Sequence, residues 1–143
     1  MDERTIREML EADEDELVHR LRELERVLRR RYGKGTRLTG KRTDLELLQR
    51  ALDDKSAELS KPAVVQSLGL AFGNVLSNEL GLEWVIVEDE YGSDPALRHP
   101  ETDALFQPLT MVSDRVEDAD RVNLQELWRK YRSEIAAPAA RAQ

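Results

Sequence analysis

Three consecutive acidic residues, Glu88, Asp89 and Glu90, are the first candidates for chemistry in this chain of 143 residues. They follow an apolar run and precede Tyr91 and Gly92, so we expect them at a turn that ends a strand. Carboxylates that lie close together can act as general acid and base or bind a divalent ion. The ligand order and the glycine position differ from those of an EF-hand loop. We therefore favour a solvated acidic turn, and an enzymatic or divalent-ion site is the alternative.

The two histidines offer little further chemistry. His19 lies among arginines in a helical pattern, where a solvated side chain is expected. His99 stands near Glu101 and Asp103, but this spacing matches no established metal site. Cysteine is absent, which removes thiolate nucleophiles and disulfides and fits a reducing cytoplasm. Because no nucleophile elbow, phosphate-binding loop or dinucleotide-binding glycine pattern occurs either, we predict no catalytic residue, metal or cofactor.

Positive charge is concentrated in one stretch of an otherwise acidic sequence. Residues 17–50 carry eleven basic and four acidic side chains, whereas the whole chain has a net charge of -7. The densest part of this stretch is Arg29, Arg30 and Arg31. These arginines either form a surface for an acidic protein partner or pair with acidic residues of the same chain. Nucleic acid is not an expected partner, because Tyr32 is the single aromatic residue in this stretch.

The periodicity of apolar residues predicts helix over residues 3–31. Leu17, Leu21, Leu24 and Leu28 recur at steps of four, three and four, as in an amphipathic helix. Asp13 is suited to cap a second helix, so one bent helix and a helix pair both fit this stretch. The leucine run also supports the hypothesis of a homodimer formed through this helix, although the run covers fewer than two heptads.

Two more helices are predicted in the middle of the chain. Thr43 and Glu46 have the spacing of a capping box, which starts a helix that runs to about residue 54. Pro62 suits the first turn of the most apolar helix, over residues 62–80, and Gly81 is well placed to end it. This helix is expected to be central to the core.

Gly69 and Gly73 lie four residues apart in the most apolar helix and so share one of its faces. Each glycine costs a helix about 1 kcal/mol relative to alanine, and a cost of this size needs a reason. We favour close approach of the sheet or of another helix to the bare backbone. The alternative is a ligand held against that face.

A small antiparallel sheet is predicted after this helix. Residues 82–88 are rich in β-branched and aromatic side chains and predict a strand, with Trp84 and Ile86 on one face. Shorter strands are predicted at 96–98 and 104–107, and the short turns favour a meander. Residues 110–122 fit either a helix or an edge strand. Asn123 is expected to cap a last helix over residues 124–135.

Together these elements predict an α+β fold, with helices on one face of a three-stranded antiparallel sheet. We predict a single domain over residues 1–135, which consists of an N-terminal helical part (3–54), a core helix and sheet (62–122) and a C-terminal helix (123–135). Residues 136–143 are expected to form a disordered tail. No stretch has the apolar length of a membrane span, so we expect a cytoplasmic protein without membrane contact.

The order and spacing of four segments resemble an uncharacterised bacterial family of domains of unknown function, over about residues 40–130. The segments are Asp44–Asp53, the Leu68-Gly69-x-x-x-Gly73 helix, the Glu83-Trp84-Val85 strand with its Asp89–Gly92 turn, and Pro108–Val112 followed by Arg115-Val116-Glu117. The resemblance implies a small cytoplasmic bacterial domain. It carries over no activity, cofactor or partner, and the N-terminal helix lies outside it.

We therefore predict a non-catalytic protein-interaction domain, of the adaptor or immunity type. Trp84, Tyr91 and the face that carries Gly69 and Gly73 would form a concave, partly apolar surface for a basic partner. The carboxylates of residues 88–90 would form its rim. For Trp84 itself we favour the alternative that its side chain fills the core.

Overall fold

The computed structural model describes residues 4–117 and 121–142; residues 1–3 and 118–120 and Gln143 lie outside the described part of the chain. The fold is α+β, as predicted. Its elements in chain order are β1 (Thr5–Glu8), α1 (Glu11–Tyr32), α2 (Asp44–Asp53), α3 (Pro62–Leu80), β2 (Glu83–Asp89), β3 (Gly92–Arg98), β4 (Leu105–Phe106), α4 (Pro108–Glu117) and α5 (Leu124–Ala142).

The sheet has four strands in the order β1-β2-β3-β4, and not the predicted three. The extra strand is β1, which pairs antiparallel with β2 from Thr5 opposite Glu88 to Glu8 opposite Val85. The prediction of helix from residue 3 onward was therefore wrong at its start. Threonine and isoleucine favour strands, and pairing with β2 outweighs the helical spacing of a few apolar residues.

The predicted meander of β2, β3 and β4 is confirmed. However, β3 is seven residues long, whereas three were predicted. Pro95 lies within it, opposite Ile86 of β2. Strand β4 pairs with β3 at Leu97 and Arg98. At Pro95, β3 therefore has β2 on one side and no described strand on the other. A proline is tolerated at such a sheet edge.

The long N-terminal helix is one helix, α1, which follows β1. Leu10 precedes its first turn, and the backbone N–H of Leu10 donates a hydrogen bond to the Asp13 carboxylate at 2.9 Å. Asp13 therefore caps this helix from within its first turn and does not start a second one. The side chains of Leu17, Leu24 and Leu28 are buried in the domain.

The remaining helices agree with the predicted ones in type. Helix α3 has Pro62 in its first turn and ends at Gly81, whose φ of 70° is the left-handed conformation of a helix stop. Thr43 precedes α2 but makes no capping bond with its side chain in the described structure. Asn123 caps α5, because its Oδ1 accepts the N–H of Glu126 at 3.1 Å.

Two segments of the C-terminal half contain more helix than the sequence predicted. The ambiguous segment 110–122 is helical as far as Glu117, since α4 covers Pro108–Glu117, and its residues 118–120 lie outside the described part of the chain. The helical backbone of α5 continues to Ala142, beyond the predicted end at residue 135. The side chains of residues 136–142 lie outside the described part, and the predicted division into a domain and a disordered tail stays a prediction.

The core is built around α3. Its residues Phe72, Val75 and Leu76 are fully buried in a cluster that also includes residues of α1, α2, α4 and α5. Trp84 and Leu97 of the sheet join this cluster, so the helices cover that face of the sheet. On the opposite face a second, smaller cluster consists of Val85, Val87 and Ala96, with Leu105 packed against it.

Candidate functional site

The glycine face of α3 is occupied by α4. A Cβ atom at Gly69 would overlap the carbonyl oxygen of Pro108, and one at Gly73 would lie 2.5 Å from the Pro108 Cγ. Both glycines are buried. The favoured interpretation, close approach of another element, is therefore confirmed, and this face is closed to a ligand.

Trp84 belongs to the core rather than to a surface. Its side chain is half-buried and packs against the main cluster, with the ring next to Gly73. A Cβ at that glycine would lie 3.1 Å from the Trp84 Cη2. The indole N–H is buried and has no hydrogen-bond partner in the described structure. Trp84 therefore lines the contact of α3 with the sheet and does not form part of a concave binding surface.

The acidic turn does not bring its three carboxylates together. Glu88 forms an ion pair with Arg7 of β1, and the Asp89 Oδ1 accepts the backbone N–H of Tyr91 at 2.8 Å. Glu90 is exposed, and Tyr91 is exposed over 88% of its surface. Among residues 4–117 and 121–142 no three acidic or histidine side chains are grouped as metal ligands. Successive side chains of a strand point to opposite faces, which explains why Glu88 and Asp89 diverge.

The three consecutive arginines pair within the chain. Arg29 contacts Glu25 at 3.0 Å, Arg30 contacts Glu58 at 2.7 Å, and Arg31 contacts Asp54 at 2.8 Å. Of the two interpretations of this stretch, intramolecular pairing is thus the one that the contacts show. Arg30 and Arg31 join the end of α1 to the segment that follows α2, whereas the Arg29 pair lies within α1.

The Arg31 contact belongs to a small polar cluster. Asp54 also accepts hydrogen bonds from the Ser56 N–H at 3.0 Å and the Tyr32 hydroxyl at 2.8 Å. The hydrogen bond from Arg31, followed by those from Ser56 and Tyr32, holds the pKa of Asp54 well below its usual range. Burial and the bond to Asp54 raise the pKa of Tyr32 to about 12.

His99 supports a loop. It is buried, and its Nδ1 accepts the backbone N–H groups of Glu101 at 3.0 Å and Thr102 at 3.3 Å. His19 is exposed on α1. Neither histidine is positioned against a described carboxylate as in a metal site.

A cavity of about 200 Å³ lies between the start of α1, α3 and the sheet. We call it the acidic pocket. Leu17, Leu70 and Ile86 are buried residues that contribute its apolar lining. Its charged side chains are those of Asp13, Glu16 and Arg20. Asp94 borders the pocket with its backbone, because its side chain shares the opposite face of the sheet with its register partner Val87.

The carboxylates of the acidic pocket differ in their partners. Asp13 contacts Arg7 at 2.7 Å, and that hydrogen bond, together with the one from the Leu10 N–H, holds the pKa of Asp13 below its usual value. Glu16 forms no ion pair within the described residues. The pocket therefore presents the Glu16 carboxylate beside an apolar wall.

Sequence reasoning missed the acidic pocket because residues from distant parts of the chain form it. Leu17 comes from α1 and Ile86 from β2, and these two elements are brought together by β1. A usable signal was the position of Ile86 on the same strand face as Trp84, which identifies Ile86 as facing the helices.

None of the described helices is long and apolar enough to cross a membrane.

The chain is similar to one known family. A family model described as Domain of unknown function (DUF3806) matches residues 44–128, which extend from the start of α2 to Trp128 in α5. This agrees with the resemblance over about residues 40–130. A comparison with curated proteins finds no match.

A solved structure shares the fold. It is a protein from Bacteroides thetaiotaomicron VPI-5482, determined at 1.50 Å, with a TM-score of 0.76 and 17% sequence identity. The similarity covers 90% of this chain and 47% of that one, so the chain spans about half the length of its structural neighbour. Because the similarity extends beyond residues 44–128, it also includes much of the chain outside the family match.

Proposed function

This chain belongs to the DUF3806 family of domains of unknown function, and we propose that it is a non-catalytic protein-interaction domain, of the adaptor or immunity type. In this proposal a partner protein inserts a basic side chain into the acidic pocket. The observation that supports it is the combination, in one cavity, of an apolar wall with the carboxylate of Glu16.

The chemistry of the acidic pocket matches a lysine or arginine side chain. Such a side chain has an apolar stem and a cationic end, and it gains most when the stem lies on apolar surface and the end meets a carboxylate. Leu17 and Ile86 offer the apolar surface, and Glu16 offers the carboxylate. Arg20 also lines the pocket and offsets part of the negative charge, which favours a partner that brings one cation over a dense basic patch.

The tip of the β2–β3 hairpin extends this surface. Ser93, Asp94 and Pro95 line the pocket and directly follow the turn that carries Asp89 and Tyr91. An exposed tyrosine combines a large apolar ring with a polar end, and tyrosine is enriched at protein interfaces. In our proposal Tyr91 contacts the partner beside the pocket.

We also propose which kind of partner the domain binds and where in the cell the protein is located. Of the four leucines of the predicted dimer surface, Leu17, Leu24 and Leu28 are buried and Leu21 packs half-buried against the same core. We therefore propose a different protein as partner rather than a second copy joined through that helix. A bacterial cytoplasmic location is part of the proposal; the absence of cysteine is consistent with it.

The test is affinity capture from a native lysate followed by mass spectrometry. Three baits are compared: the wild type, a Glu16→Lys variant, and a control Glu134→Lys variant that makes the same change of charge at an exposed position outside the pocket. We expect a protein that the wild type and the control retain and the pocket variant loses. Equal capture by all three folded baits, or no capture by the wild type, would contradict the proposal.

A further inference from the structure

A second cavity of about 200 Å³ lies on the other side of α1, where that helix faces α3 and the loop of residues 33–43. We call it the loop pocket. Its apolar lining is formed by Val18, Leu21, Leu38 and Ala71, and Arg22 is its basic residue. We infer that the loop pocket binds a small amphipathic carboxylate, with the apolar body against this lining and the carboxylate on Arg22. The inference does not depend on the proposed function.

The wall of the loop pocket is held firmly in place. The buried Asp44 accepts hydrogen bonds from the Thr39 N–H at 2.9 Å, the Thr39 hydroxyl at 2.7 Å and the Gly40 N–H at 2.7 Å. Asn78 of α3 donates to the Gly40 carbonyl at 2.9 Å. These bonds fix the loop before any ligand arrives, so binding needs little ordering of the chain.

Gly40 is needed for this geometry. Its φ of 75° favours glycine, and a Cβ there would lie 2.6 Å from the Asn78 Nδ2 and 3.0 Å from the Asn74 Nδ2. The loop thus lies directly on the asparagines of α3. Asn74 lines the pocket, and its amide can offer a hydrogen bond to the ligand.

Arg22 is the group of the loop pocket that can hold an anion, beside the carboxylates of Glu25 and Asp44. These two acidic residues are already engaged, since Asp44 holds the loop and Glu25 accepts the Leu38 N–H at 2.9 Å and contacts Arg29 at 3.0 Å. No ion pair or hydrogen bond to a residue within 4–116 or 121–135 engages the Arg22 guanidinium. The loop itself carries no acidic residue and four basic ones: Lys34, Arg37, Lys41 and Arg42.

The size of the cavity limits the ligand. A volume of 200 Å³ has room for about six or seven water-sized groups at about 30 Å³ each. A branched five-carbon chain with a carboxylate fits this volume. Both a free carboxylic acid and the C-terminal residue of a peptide present this chemistry.

The test is a titration of the full-length, ¹⁵N-labelled chain followed by NMR. The two ligands are 4-methylpentanoate, a free acid, and N-acetyl-leucine, which mimics a peptide C-terminus. Their neutral controls are 4-methylpentanamide and N-acetyl-leucinamide. We expect both carboxylates to shift the amide signals of the pocket lining, such as Leu21, Leu38 and Asn74, with a Kd near 1 mM for ligands of this size. A preference for one of the two carboxylates identifies the source.

The decisive variant is Arg22→Gln, for which we expect about tenfold weaker carboxylate binding because a charge-assisted hydrogen bond is lost. Its control is Arg26→Gln on the same helix, since Arg26 contacts Glu23 at 2.9 Å and does not line the pocket. The control should bind within about twofold of the wild type. Amides that bind as tightly as the acids, an Arg22→Gln variant that binds normally, or no shifts at about 10 mM ligand would each overturn the inference.

Discussion

Residues 44–128, the family core, include helices that pack through close backbone contact, whereas residues 4–43, the N-terminal segment, join that core through one strand pairing, β1 with β2, and otherwise through side chains. Within the family core, Gly69 lies against the backbone of Pro108. The N-terminal segment instead contributes buried leucines of α1 and ion pairs such as those of Arg7 with Glu88 and Arg31 with Asp54.

This difference in packing accounts for the positions of the acidic pocket and the loop pocket. Both the acidic pocket and the loop pocket lie between residues of the N-terminal segment and residues of the family core. Close backbone packing leaves few voids large enough for a ligand, whereas long polar side chains span a gap without filling it. Each of these two pockets therefore needs residues of both regions.

The largest expected effect is that of Gly69→Ala within the family core. The new Cβ would meet the Pro108 carbonyl, and overpacking of this kind costs about 2–3 kcal/mol of the free energy of unfolding, even after a gain of about 1 kcal/mol in helix propensity. Urea denaturation measures the loss. Gly35→Ala in the N-terminal segment is the control, because a Cβ there would meet no atom beyond its chain neighbours within 4 Å, and the change should stay within about 0.5 kcal/mol. Equal stability of the two variants would remove the contrast between the regions.

A smaller loss is expected for Asp44→Ala, at the contact between the regions. The Thr39 and Gly40 groups that Asp44 binds would lose their acceptor, at a cost of about 2 kcal/mol. Hydrogen exchange should show faster exchange of the Thr39 and Gly40 amides, while the Ile86 amide in the sheet keeps its rate relative to global unfolding. The control is Asp53→Ala, whose carboxylate accepts one exposed bond at 3.2 Å. Unchanged exchange in the loop would show that other contacts hold it.

The smallest expected effect concerns pH and the Arg31–Asp54 contact. The folded chain holds the pKa of Asp54 below its usual value, so the unfolded chain binds more protons at acid pH. The stabilisation is complete above about pH 4 and is lost as the pH falls further. The melting temperature of Asp54→Asn should therefore be lower than that of the wild type at pH 6, and the difference should shrink towards pH 2. A constant difference over this range would show that the contact is not ionic.

The local elements could be predicted from the sequence because their signals are local. The apolar pattern between Pro62 and Gly81 defined α3, and two glycines at helical spacing indicated a close contact. The contacting residue, Pro108, lies 35 or more residues further along the chain than the two glycines. No local signal could therefore predict which residue makes the contact.

The N-terminal strand and both pockets were missed for the same reason. Strand β1 pairs with residues about eighty positions away, and four residues are too few to show a period of two against the helical spacing around them. The pocket linings combine α1 with α3 or β2, so no stretch of sequence contains a whole site. Conversely, the acidic turn was conspicuous in sequence, but its carboxylates diverge.

Helix α1 is a wall common to both cavities. Its neighbours Leu17 and Val18 face different pockets, and so do Leu70 and Ala71 on α3. A ligand that displaces α1 in one cavity therefore changes the shape of the other. Such a displacement makes the two binding equilibria thermodynamically linked, and the factor by which one ligand alters the affinity of the other must be the same in both directions.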